Sequence, residues 1–149
     1  MKPSHAVPLA AAALAIAAAA VPAAAAPPAP LVGTWHLVQI EETDAGGRTV
    51  RHTDLTGSLI YTADGRMSVQ VSYPDAHVNT DYVHDGYEAS FGRFTADVRT
   101  HRLVHHVEGA NMPALVGRDL PRTWHIRGRR LVIGPVSPAE HWSVTWERQ

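Results

Sequence analysis

The chain contains ten histidines and no cysteine. Thiol chemistry is therefore absent, and imidazole is the commonest group here able to move a proton near neutral pH. His105 and His106 are adjacent, and Glu108 follows two residues later. On a β-strand, neighbours point to opposite faces, while residues two apart share a face at roughly 7 Å. His106 and Glu108 would then lie side by side, with His105 on the other face. Two adjacent histidines cannot bind one metal ion without a bulge in the strand. There is no His-Glu-x-x-His motif and no paired-cysteine spacing, so no metal site is expected. A site from His36, His125 or His141 across neighbouring strands has no sequence pattern behind it, and the histidine excess reads as compositional. Gly-x-Ser-x-Gly is missing too. What remains is acid–base chemistry, with His105 as first candidate, or simple binding.

These groups must be held by strands. From Leu31 onward no long stretch has helical periodicity, and short alternating runs are separated by turn residues, the pattern of an all-β fold. The clearest hairpin runs from Gly57 to Thr62, turns at Asp64-Gly65, and returns from Met67 to Tyr73. Asp-Gly supplies the positive φ angles of a tight turn. Met67, Val69, Val71 and Tyr73 alternate with Ser68, Gln70 and Ser72, so one face is dry and one is wet. Further strands are read at residues 32–42, 89–96, 102–108, 119–127, 130–133 and 141–148. Residues 74–88 lack alternation and are assigned a short helix or a flap. About eight strands joined in order suit an antiparallel up-and-down barrel, which has no exposed edges. A sandwich is the alternative.

The total of 149 residues points to one domain after a leader. A basic start at Lys2, an apolar middle from Leu9 to Val21 and a small-residue end at Ala23–Ala26 have the form of a secretory signal peptide. Cleavage is placed after Ala25, giving a signal peptide at 1–25, a Pro-rich lead-in at 26–30 and the barrel domain at 31–149. The apolar run is short for a membrane span, and no lipobox cysteine offers an anchor. A secreted or periplasmic protein without a stable membrane anchor is expected. The net charge of -1 gives no broad electrostatic reason to bind nucleic acid.

Several motifs in order resemble the bacterial and fungal lipocalin-like domain family. They are Gly33-Thr34-Trp35 at the head of the first strand, Gly57 to Ser68 across the first hairpin, and Phe91-Gly92-Arg93-Phe94. His105-His106-Val107-Glu108-Gly109, then Pro113 with Gly117, and the closing Thr145-Trp146-Glu147-Arg148 complete the set. The resemblance covers essentially the whole mature chain and implies a small barrel with an internal cavity. It also implies that Trp35 closes the barrel floor with Arg148 over its ring, a contact contributing roughly 0.5–2 kcal/mol. Barrels of this general kind carry apolar molecules, and some catalyse cyclisation or isomerisation.

Inside such a barrel, one parity of each strand faces the axis. Apolar residues assign that parity. Leu59 and Tyr61, then Met67, Val69, Val71 and Tyr73, then Leu103, His105 and Val107 point inward. Arg122, Trp124 and Ile126 share a face, as do Trp142, Val144 and Trp146. The proposed ligand contacts are Tyr61, Tyr73, His105, Arg122, Trp124 and Trp142, around a small apolar molecule. An inward Arg122 needs either an internal partner, the reading favoured here, or an anionic ligand head. Three functions follow: a carrier of a small apolar molecule, an isomerase or cyclase using His105 as acid or base, or a filled barrel working through its surface. No cofactor is expected.

Overall fold

In the computed structural model, which describes residues 26–149, the alternating runs become nine strands. They are β1 (Gly33–Thr43), β2 (Thr49–His52), β3 (Thr56–Tyr61), β4 (Arg66–Ser72) and β5 (Tyr87–Asp97). After these come β6 (Arg102–Ala110), β7 (Asp119–Arg127), β8 (Arg130–Gly134) and β9 (Trp142–Arg148). The leader assigned to residues 1–25 lies outside the described residues.

From β3 to β9 each strand pairs antiparallel with the next, and β9 pairs back onto β1 from Trp35↔Arg148 to Glu42↔Trp142. That last pairing closes the sheet into a cylinder, leaving the outer edge of the short β2 unpaired among the described residues. β2 pairs with Ile40–Thr43 of β1, and β3 with Gly33–His36. Because β9 occupies the other edge of β1, β2 and β3 follow one another along a single edge and act as one stave. The barrel therefore has eight staves and is closed, as the alternation predicts; the sandwich is excluded. β2 escapes a reading based on apolar alternation because its only large apolar residue is Val50. It is held instead by polar pairs, Arg51 Nε to Glu41 at 2.7 Å and His52 Nε2 to Glu42 at 3.0 Å.

The short helix considered for residues 74–88 does not form. Side chains satisfy the backbone there in non-helical conformations, which competes directly with helix formation. Asp75 accepts from the His77 N–H at 2.8 Å, Thr80 from Tyr82 and Val83 at 3.1 Å each, and Asn79 from Asp85 at 3.1 Å. The segment is the flap of the two alternatives. Among the described residues the one helical element is a 3-10 turn at Pro113–Leu115.

The core lies inside the cylinder, and the inward parity is the one predicted. Met67, Val69 and Val71 are buried, while Gln70 and Ser72 are exposed. At the floor, Trp35 is fully buried and donates its indole N–H to the Leu31 carbonyl at 3.0 Å. The Arg148 guanidinium sits 4.1 Å from the Trp35 ring centroid and donates to the carbonyls of Val32 and Pro30. Gly33 makes this possible. Its φ is +146°, and a Cβ there would lie 2.5 Å from the Arg148 Nη1. Gly92 is just as constrained: a Cβ would lie 2.0 Å from the His106 carbonyl oxygen. It sits where β6 bulges, Phe91 facing Gly109 and Gly92 facing Val107, so that Glu108 is the extra residue.

Candidate ligand-binding cavity

Away from the Trp35 floor, the barrel encloses a cavity of about 300 Å³, at the lower end of the range small-molecule sites occupy. Its walls are apolar: Leu59, Val69, Ile133, Val144 and Trp146. All come from inward positions of β3, β4, β8 and β9, where strict alternation delivers every second side chain. Polar groups gather at the open end, from the end of β1 (Glu42), beyond β4 (Tyr73), the starts of β5 and β9 (Glu88, Trp142), and the first half of β7 (Arg122). Over them lies the flap, contributing Thr80, Tyr82 and Val83.

Arg122 has internal partners, as favoured, but none is a carboxylate. Its guanidinium donates to the Pro121 carbonyl and the Tyr82 hydroxyl, each at 3.0 Å. It also lies 5.0 Å from the Trp142 ring centroid and 5.6 Å from that of Tyr82. Such contacts with neutral oxygens and ring faces offset part of the cost of taking the cation out of water. They also tie the flap to β7.

His105 lines the cavity and is buried, with Nε2 2.6 Å from the Tyr61 hydroxyl. Burial, then the charges of Arg122 and His106, depress the imidazole to about 3, so it is neutral. Burial pushes the Tyr61 phenol up, against a smaller opposing effect of Arg122, so it keeps its proton. Nε2 is the one partner found for that hydroxyl among the described residues, so the O–H donates to it, since a buried donor must be satisfied. The imidazole proton then belongs on Nδ1, which has no protein partner among the described residues and is left to the cavity.

Tyr73 and Glu88 face each other electrostatically. Burial, then Glu88 and Glu42, push Tyr73 up to about 12. Burial raises Glu88 to about 7, with Arg122 pulling the other way. Among the described residues Glu88 has neither a hydrogen-bond partner nor an ion pair.

Of the six predicted contacts, Tyr73, His105, Arg122 and Trp142 line the cavity, and Tyr61 and Trp124 do not. Both of the latter point inward as predicted, but into packed interior. Tyr61 lies behind His105 and against Phe94, ring centroids 4.3 Å apart. Trp124 is buried, donates to the Arg102 carbonyl at 3.2 Å and packs on His101. Glu88 escapes the sequence reading because alternation there begins the strand at residue 89, whereas β5 begins at Tyr87. Carrying the inward parity of Phe94 back through Gly92 and Ser90 would have reached it. His106 and Glu108 are outside, as expected, but each has its own partner. His106 bonds Asp119 at 2.6 Å, and Glu108 takes both Arg66 amino groups, at 3.1 and 2.8 Å. Among the described residues no three His, Asp or Glu side chains gather as a metal site would need.

The family model described as the lipocalin-like domain matches residues 32–148. The chain belongs to the lipocalin-like domain family. Among solved structures this lipocalin-like domain is similar to the lipoprotein YedD from Klebsiella pneumoniae. That match has 14% identity and a TM-score of 0.43, and covers 85% of this chain and 78% of that one. It is also similar to a redesigned β-barrel, with 18% identity and a TM-score of 0.41, covering 80% of this chain and 91% of that one. No curated protein matches it.

Proposed function

We propose that this lipocalin-like protein is an exported carrier that holds a small, mainly apolar molecule inside its barrel. The observation that carries the reading is the cavity of about 300 Å³, apolar in its walls and polar at one end. An apolar pocket with a few fixed polar groups binds the body of a ligand by excluding water and orients it through its head. Export rests on the basic, apolar and small-residue order of residues 1–25.

The isomerase or cyclase reading fits His105 less well. A general base works best with a pKa near the working pH, whereas burial holds this imidazole at about 3. His105 is better suited to donating a hydrogen bond from Nδ1. Were chemistry to occur in this cavity, Glu88, held at about 7, is the group placed to exchange a proton.

Thermal melting of the mature protein against a panel of apolar metabolites tests the carrier reading. A saturable rise in melting temperature is expected for a subset of similar shape, and no stabilisation by any member contradicts it. N-terminal sequencing of the exported protein should begin at Ala26; retention of residues 1–25 contradicts export by cleavage.

A further inference from the structure

The head of the ligand can be read from two side chains at the open end of the cavity. Arg122 and Glu88 both border it, do not pair with each other, and carry opposite charges once Glu88 is ionised. Of the five guanidinium N–H groups, Arg122 spends some on Pro121 and Tyr82, and the others remain available. The Glu88 carboxyl has no partner among the described residues, and none of its oxygens is sealed away from the cavity. An unmet donor and an unmet acceptor therefore front one apolar space.

Candidate heads differ in how they meet this pair. With Glu88 ionised, a carboxylate satisfies Arg122 but brings a further negative charge towards Glu88 and Glu42. An alkylammonium satisfies Glu88 but approaches the Arg122 cation. A zwitterion satisfies both, at the cost of taking two more full charges out of water. A neutral group that donates and accepts at once meets both with a far smaller desolvation cost. We infer that the cavity takes a short apolar molecule with an amide-type head, its carbonyl oxygen on Arg122 and its N–H on Glu88. This rests on the carrier reading above and names the chemistry of its ligand. The tail lies against Leu59, Val69, Ile133 and Trp146, and the small volume limits it to a short chain or a single ring system.

The test is competition for a fluorescent apolar dye bound to the mature protein at pH 8, where Glu88 is ionised. The competitors share one tail: octanamide, N,N-dimethyloctanamide, octanoate and octylammonium. Octanamide should compete at about tenfold lower concentration than the other three, as expected for hydrogen bonds to charged groups. Glu88→Ala, with its fold checked by melting, should remove about the same factor from octanamide and leave N,N-dimethyloctanamide unchanged. The dimethyl amide removes the N–H in the ligand, so that arm does not depend on a variant folding. Tightest competition by octanoate, by octylammonium, or by all four equally overturns the amide head while leaving a working apolar cavity. Failure of the dye and every competitor to bind overturns the carrier reading itself.

Discussion

The hydrogen bond of 2.6 Å between the Tyr61 hydroxyl and His105 Nε2 joins two strands that are not neighbours. β4 and β5 lie between them in the sheet, so the bond crosses the interior. It fixes the imidazole tautomer and separates the cavity from the packed interior around Phe94.

Removing either partner leaves a buried polar atom unmet. Tyr61→Phe and His105→Phe should each cost about 1–3 kcal/mol. The double variant should cost clearly less than the sum, because no orphan remains. Urea denaturation of the four proteins checks this; strict additivity would mean the bond contributes little.

Stability should depend on pH in two opposing directions. His105 is held at about 3 against an ordinary 6.5, so its neutral form favours the fold, and stability falls as pH drops from 6.5 towards 3. Glu88 is held at about 7 against 4.5, so the unfolded chain gives up its proton first, and stability falls as pH rises from 4.5 to 7. The second loss should be about 1–3 kcal/mol. Tyr73, held at about 12 beside Glu88, does not titrate in this window. Glu88→Gln should abolish the loss towards pH 7 and keep the loss in acid. Denaturation curves across this range show whether the two limbs separate in that way.

The fold was legible because alternation reports which face of each strand is dry, and Met67, Val69 and Val71 report it without ambiguity. Closure followed from strand number and order. β2 was invisible because it is held by Glu41 and Glu42 pairing with Arg51 and His52 instead of by burial. The site was only partly legible, since parity gives the direction of a side chain but not its depth. Trp124 and Trp142 both point inward, yet one is packed in the core and the other borders the cavity. Glu88 required the start of β5 to be placed two residues earlier.

Arg148 acts as a clamp on the floor. Arg148→Met keeps most of the apolar stem but loses the Trp35 ring contact and the bonds to Val32 and Pro30. A cost of about 2–3 kcal/mol is expected. Arg66→Met, which breaks an exposed pair with Glu108, should cost less than about 1 kcal/mol. Comparable losses in chemical denaturation would contradict the distinction.

Gly92 admits no side chain. Gly92→Ala places a methyl group against the His106 carbonyl and should destabilise by about 3 kcal/mol through backbone displacement at the β6 bulge. Gly47→Ala meets no atom and changes only the cost of its positive φ, about 1–2 kcal/mol. Melting temperatures of the two variants should fall in that order.

The most direct measurement is a fluorescence titration of the protein and of Val69→Trp with one apolar dye. Val69 lies on the cavity wall, and an indole there occupies the space a ligand would take. The wild-type protein should bind one dye per barrel and quench Trp142 and Trp146, while the folded variant binds none. Equal binding by both proteins would place the dye on the outer surface and contradict an interior site.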